Sequence, residues 1–308
     1  MRKLIAFGLL AFGVYWIGNS ASAVEPEVIR LTTDGHLKQR PAWSPDGLQM
    51  VFARHRGDSI FLFLRDTTTG KEERLTSHTF PEYDAVFSPD GQELLLSSDS
   101  ISPGQGDIDV SRIGMTDRTL VPLATTQGAL SHEESPSWSP DGKRFAFTST
   151  RHGNQELYVA EIKGGEWCRL TEDPAIDAHP SWSPDGKTIA FSTSRWGDLE
   201  IALIEPDGSN LRRLTDSKGL DDYPAWSPDG RQISFTSNRD GNLEIYVQPL
   251  EGSDPAGPVQ NVTRHPAIDN FPAWSPDGRI SFVSNRDDGF DLYSIDWIDH
   301  RRGGIRRR

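Results

Sequence analysis

Five acidic residues recur at one position of a repeating sequence, and carboxylates gathered in this way are the side chains best placed to do chemistry. Glu82, Glu133, Asp177, Asp221 and Asp269 each stand three residues before a Pro, or before the Ala85 that replaces it, and Lys38 holds the sixth such position. If the segments carrying them meet at one mouth of a ring, the carboxylates form an acidic rim. Such a rim concentrates cations and basic partners, and oxygen ligands from Asp177, Asp221 and Asp269 suit calcium. Glu134, Asp222 and His179 add polar groups to the same segments. The competing role is bracing, because short acidic side chains accept backbone hydrogen bonds in tight loops.

Catalytic signatures are sparse. The eight histidines are scattered without H-E-x-x-H spacing, and no G-x-S-x-G elbow occurs. Cys168 is the single cysteine, so no intrachain disulfide forms, and it reads as a small residue in a strand. No catalytic residue is therefore assigned, and no cofactor other than calcium. A lyase drawing acid and base from different repeats stays open. A second recurring set, Arg151 with Glu156, Arg195 with Glu200, Arg239 with Glu244 and Arg286 with Asp291, reads as an ion pair inside each repeat.

The elements that position these groups are announced by a five-residue unit. Trp-Ser-Pro-Asp-Gly begins at Trp43, Trp138, Trp182, Trp226 and Trp274, with Phe87 as the variant, in steps of 44, 51, 44, 44 and 48 residues. A period of 40–50 residues marks an array or propeller. Ser, Pro and Gly suit positions i, i+1 and i+3 of a type I turn, so the unit is a reversal between strands and its Asp is structural. In the fourth copy, strands are expected at 180–183, 188–194, 199–204 and 211–215, and no helical periodicity appears after the leader. The expected fold is all-β: a six-bladed propeller of four-stranded antiparallel blades. The last copy lacks a fourth strand, and Val28 to Thr32 matches that missing piece, so the N-terminal strand is expected to complete the last blade and close the ring. Insertions at 101–106 and 253–258 read as tolerated surface loops.

Residues 1–23 read as a signal peptide: Arg2 and Lys3, an apolar run to Ile17, and Ala21-Ser22-Ala23 as cleavage site. Cleavage after Ala23 removes two positive charges and moves the net charge from −13 to −15. An acidic chain disfavours nucleic acid and anionic membrane surfaces as partners. The expectation is an exported, periplasmic or secreted monomer with a propeller over 24–300 and a basic tail at 301–308.

The pattern Pro224-Ala225-Trp226-Ser227-Pro228-Asp229-Gly230, Ile233-Ser234-Phe235-Thr236-Ser237 and Arg239-Asp240-Gly241-Asn242-Leu243-Glu244-Ile245-Tyr246-Val247 resembles the propeller repeat of the TolB family of the Tol-Pal envelope system. The resemblance implies a periplasmic, non-enzymatic scaffold whose channel mouth binds a protein such as the lipoprotein Pal. Only Val24 to Glu27 precede the first strand, so functions of the family's N-terminal domain are not expected here. Similar repeats occur in prolyl oligopeptidase-like enzymes, and the alternative is a propeller enzyme of polysaccharide lyase or hydrolase type, or a carbohydrate-binding protein.

Overall fold

The computed structural model describes residues 26–100, 107–124 and 131–297; residues 1–23, 101–106 and 301–308, read from the sequence as leader, insertion and tail, lie outside the described residues. Short runs rich in Ile, Val, Phe and Thr, interrupted by Pro-Asp-Gly and Asn/Asp-Gly, become strands because branched and aromatic side chains fit a pleated surface. Six antiparallel sheets result, five of four strands and one of five, with no helix among the described residues. Blade 4 is representative: Asp177–Trp182, Ile189–Trp196, Asp198–Ile204 and Arg212–Arg213 lie side by side in chain order. The first strands of blades 1, 2, 3, 5 and 6 are Lys38–Trp43, Glu82–Phe87, Glu133–Trp138, Asp221–Trp226 and Asp269–Trp274.

Val28–Arg30 runs antiparallel to the last strand, Val28 opposite Ile295 and Arg30 opposite Tyr293. The chain's first strand thus completes its last blade, as the sequence offset predicts. The second insertion departs from expectation: Asp254–Pro255 pairs with Leu250 and Glu251 as a fifth strand of blade 5.

Each Ser-Pro-Asp-Gly unit is closed by its own side chains. In blade 4, Ser183 Oγ donates to Asp185 Oδ1 at 2.7 Å and accepts from the Thr188 amide at 3.0 Å, while Asp185 Oδ1 accepts from the Lys187 amide at 3.1 Å. Burial pushes the Asp185 carboxyl up, but these hydrogen bonds outweigh it and hold it below the ordinary range. Gly186 sits at φ +73°, and a Cβ there would lie 3.2 Å from Pro140 of the preceding turn. Five of the six turn glycines, all but Gly278, face a proline of the neighbouring turn in this way, and Gly47 meets Pro276 where blade 1 adjoins blade 6.

The core lies between blades rather than within one. Phe191, Ile189 and Trp182 of blade 4 pack on Ala146, Leu157 and Val159 of blade 3, and every other seam repeats this scheme. Full burial of a side chain of this size is worth about 1.5–3 kcal/mol, so each blade depends on both neighbours.

Candidate functional site

The first strand of every blade carries a bulge. Its ladder loses register between the second and fifth residues, for example between Ala178 and Ser181, and the third residue takes a left-handed conformation. Those residues are Arg40, Asp84, Ser135, His179, Tyr223 and Phe271, with φ of 46°, 53°, 54°, 52°, 55° and 58°. For non-glycine residues this costs about 1–3 kcal/mol each and occurs where surrounding structure enforces it. All but Asp84 precede a Pro, which further restricts them. Five of the six, all but Ser135, line the central cavity, of about 270 Å³, together with prolines and tryptophans of the same strands.

The geometry repeats around this ring while the chemistry does not. On one side Arg40 Nε lies 3.2 Å from Asp84 Oδ1, and Ser135 Oγ donates to Asp84 Oδ2 at 2.8 Å. On the other, His179 stacks on Tyr223 at 4.1 Å, Tyr223 meets Phe271 edge-on at 4.6 Å, and the Arg40 guanidinium sits 5.2 Å from the Tyr223 ring centre. His179 Nδ1 lies 2.6 Å from Asp222 Oδ1, which also accepts from Ser192 Oγ at 2.6 Å. Burial pushes the Asp222 carboxyl up, but His179 and these hydrogen bonds bring it below its ordinary range. Burial raises the Tyr223 and Tyr83 hydroxyls, so both stay neutral donors, and Tyr83 donates to Glu134 Oε1 at 2.8 Å. The cavity thus offers an ion pair facing an aromatic wall, a surface suited to anchoring a peptide segment through stacking and charge.

The five acids expected at the channel mouth stand elsewhere. Glu82, Glu133, Asp177, Asp221 and Asp269 each have 0% exposure, at the first residue of the first strand, in the seam with the preceding blade. Asp221 takes both oxygens' bonds from Arg239 at 2.8 and 2.7 Å, Asp269 accepts from Arg286 at 2.8 Å, and Asp177 pairs with Arg195. Glu82 is held by Thr76 and by His78 at 2.7 Å, and Glu133 by Ser131 at 2.9 Å and Ser149 at 2.5 Å. The open acidic rim is therefore corrected to a set of buried braces. Calcium shared by Asp177, Asp221 and Asp269 meets the same objection, since each carboxylate sits in its own seam on its own arginine. Among the described residues no group of three or more His, Cys, Asp or Glu side chains could hold a metal ion.

The second recurring set is also re-paired. Arg195, Arg239 and Arg286 serve the first-strand acids, leaving Glu156, Glu200 and Asp291 to Arg169 at 3.2 Å, Arg213 at 2.9 Å and Arg30 at 2.7 Å, all on fourth strands. Thr171, Thr215 and Thr263 add short hydrogen bonds to Glu156, Glu200 and Glu244, at 2.5, 2.6 and 2.6 Å. The recurring Arg-Leu-Thr of the sequence is the clasp of the outer strand. Asp221→Asn leaves the Arg239 guanidinium short of a carboxylate, and a loss of about 1–3 kcal/mol in urea unfolding is expected. Partner affinity should stay unchanged; weakened binding at unchanged stability would return Asp221 to the site.

The ring residues were masked by their variety, since no residue type recurs among them. The available signal is positional: the third residue of each first strand, before the Pro that leads the repeat motif, of which His179 alone drew notice in the sequence.

The family model for the TolB beta propeller domain matches residues 100–215, 180–260 and 224–305, together more than half of the chain. A stretch of 123 residues is 35% identical to the Tol-Pal system protein TolB of Francisella tularensis subsp. mediasiatica, covering 40% of this chain and 27% of that protein. The matched stretch is thus about a quarter of that relative's length. Among solved structures, the putative TolB from Agrobacterium tumefaciens superposes with a TM-score of 0.68 at 23% identity, over 88% of this chain and 97% of that one. An oligogalacturonate lyase in complex with manganese superposes with a TM-score of 0.61 at 17% identity, over 89% and 93% of the two chains. These likenesses show the fold. The chain belongs to the TolB beta propeller domain family.

Proposed function

We propose that this chain is an exported, non-enzymatic propeller that binds a segment of an envelope protein, a Pal-like lipoprotein in the first instance, in its central cavity. The observation that carries this reading is the ring of Arg40, Asp84, Ser135, His179, Tyr223 and Phe271: six positions fixed in one strained conformation and filled with six different side chains. Selection of blade structure alone favours one residue type at an equivalent position, as the Ser-Pro-Asp-Gly turns do. Arginine and tyrosine at the centre of a cavity are the residue types that dominate binding energies. The TolB relative is by name a component of a Tol-Pal system, and the leader supports export. Calorimetry with the soluble domain of the lipoprotein encoded by the same genome tests the reading. Arg40→Ala with Tyr223→Ala is expected to weaken binding by about 100-fold, two contacts each worth more than 1 kcal/mol. Equal affinity of the variant, or no binding by the wild type, overturns it.

The alternative is a propeller enzyme acting on an envelope or extracellular polysaccharide. Its support is the His179–Asp222 contact of 2.6 Å beside the cavity, the arrangement that orients an imidazole as general base. Turnover of an acidic glycan that His179→Ala abolishes would establish it in place of the scaffold.

A further inference from the structure

Blade 3 departs from blades 5 and 6 at three linked positions, and the departures point one way. In blades 4, 5 and 6 the arginine after the second strand pairs with the buried first-strand acid: Arg195 with Asp177, Arg239 with Asp221, Arg286 with Asp269. Arg151 occupies the same position but makes no ion pair among the described residues. Its guanidinium lies instead 4.3 Å from the centre of the Trp167 ring and acts on Glu133 only at longer range, while two serine hydroxyls donate to that carboxylate. Next, in blades 5 and 6 the third-strand tyrosine donates to an aspartate, Tyr246 to Asp240 at 2.5 Å and Tyr293 to Asp287 at 2.6 Å. Blade 3 has His152 where those aspartates stand, its Nδ1 2.5 Å from Tyr158 Oη. Finally, Trp167 occupies the fourth-strand position filled by Leu211 and Val259 in blades 4 and 5.

The result is an open cavity of about 560 Å³ on the outer side of blade 3, lined by Arg151, His152, Tyr158, Trp167, Arg169 and Leu123. Trp167 is fixed by an edge contact with Phe147 at 5.0 Å, so the platform is set before any ligand arrives. Arg169 is partly engaged by Glu156 at 3.2 Å and Glu172 at 3.7 Å, and Glu166 stands on the rim. Arg151 has no such ion pair among the described residues. In a chain of net charge −13, the fold has drawn an arginine out of contact with a buried acid, set a histidine where sister blades have an aspartate, and placed an indole beside both. Releasing Arg151 costs stability at Glu133, a conflict of the kind found where function overrides local consistency.

We infer that this pocket binds a sugar-sized ring bearing a carboxylate or phosphate, its oxyanion on Arg151 and its ring between Trp167 and His152. A guanidinium gives two parallel hydrogen bonds to either oxyanion. The site is separate from the central cavity and does not rest on the partner proposed there.

Tryptophan fluorescence titration of the full chain with glucuronate, glucose 6-phosphate and glucose tests the inference. Saturable change with at least one of the two anions, and none with glucose, is expected; which anion binds tighter names the source. Arg151→Gln should weaken that binding about tenfold or more, the value of one charged hydrogen bond, and Trp167→Leu should remove the signal. Arg151 is exposed and holds no ion pair among the described residues, so Arg151→Gln should fold as the wild type does. No saturable response to either anion, equal response to glucose, or unchanged affinity of Arg151→Gln overturns the inference.

Discussion

Lys38→Met is expected to lower the unfolding free energy by about 3–5 kcal/mol, the usual cost of leaving one partner of a buried ion pair behind. Lys38 is the odd member among five acids, and the structure explains the exchange. It enters the seam between the last blade and the first, where Asp291 is already present, and both side chains are fully buried. Lys38 Nζ donates to Asp291 Oδ1 at 2.8 Å, to Asp34, and to the carbonyl oxygens of His36 and Phe290 at 3.1 and 3.3 Å. Asp291 also accepts from Arg30 at 2.7 Å and Thr32 at 2.6 Å, so one carboxylate ties the first strand, the last strand and the first blade together. Burial pushes the Asp291 carboxyl up, but hydrogen bonds from Lys38, Thr32 and Arg30 overturn that and bring it down to about 2. A depressed carboxyl contributes stability above its unfolded value, and loses it as pH falls from about 4 to about 2. Urea unfolding followed by fluorescence should show the loss in Lys38→Met, and its acid transition should move to higher pH. The double variant Lys38→Met, Asp291→Leu should recover part of the difference, because an apolar pair replaces a desolvated one while Arg30 and Thr32 lose the same acceptor. A single-variant loss below about 1 kcal/mol would show that the pair does not close the ring.

The opposite sign is expected at the seam between blades 2 and 3. Asp109 is 1% exposed, its Oδ2 lacks a hydrogen-bond partner among the described residues, and burial together with Asp107, Glu133 and Asp99 pushes its carboxyl up to about 7. Burial also raises Glu133, against the serine hydroxyls that lower it. Here the folded chain holds a proton that the unfolded chain releases near pH 4, so stability should fall as pH rises from about 4 to about 7. Asp109→Asn supplies a neutral side chain of the same shape. It should stabilise the chain at pH 8 by about 2–4 kcal/mol, and flatten the pH dependence between 4 and 7. Unfolding curves at pH 5 and pH 8 decide this. Destabilisation at pH 8 would mean that the ionised carboxylate has a partner that sustains it.

The propeller was legible because its punctuation is local. Ser183, Asp185 and Gly186 close their turn through bonds within five residues, so the sequence carries the whole instruction, and six copies make the period plain. Ring closure was legible for a similar reason, since Val28 to Thr32 repeats the outer-strand pattern. The site was not. Asp177 and Asp221 recur because seams recur, and the same regularity that made them visible marks architecture. Their pairing with Arg195 and Arg239 spans 18 residues of chain, whereas the sequence spacing favoured Glu200 and Glu244, five residues away. Burial decided between them: an acid sealed in a seam needs the cation that reaches inward, and an outer-strand arginine reaches the other. The left-handed bulge that aims Tyr223 and Phe271 at the cavity has no residue signature of its own, because proline follows and the preceding side chain is free to vary.

Ring closure by Val28–Arg30 also sets a schedule. Val28–Arg30 cannot dock before its partner Tyr293–Ile295, some 260 residues later in the chain, has been made. At ribosomal rates of about 5–20 residues per second, it waits roughly 10–50 s for its partner. Throughout that interval the growing array has an unpaired strand at each end, the feature that invites pairing with another chain. A chain held unfolded until it has been exported in full would meet both ends at once, and closure would then be a single intramolecular step.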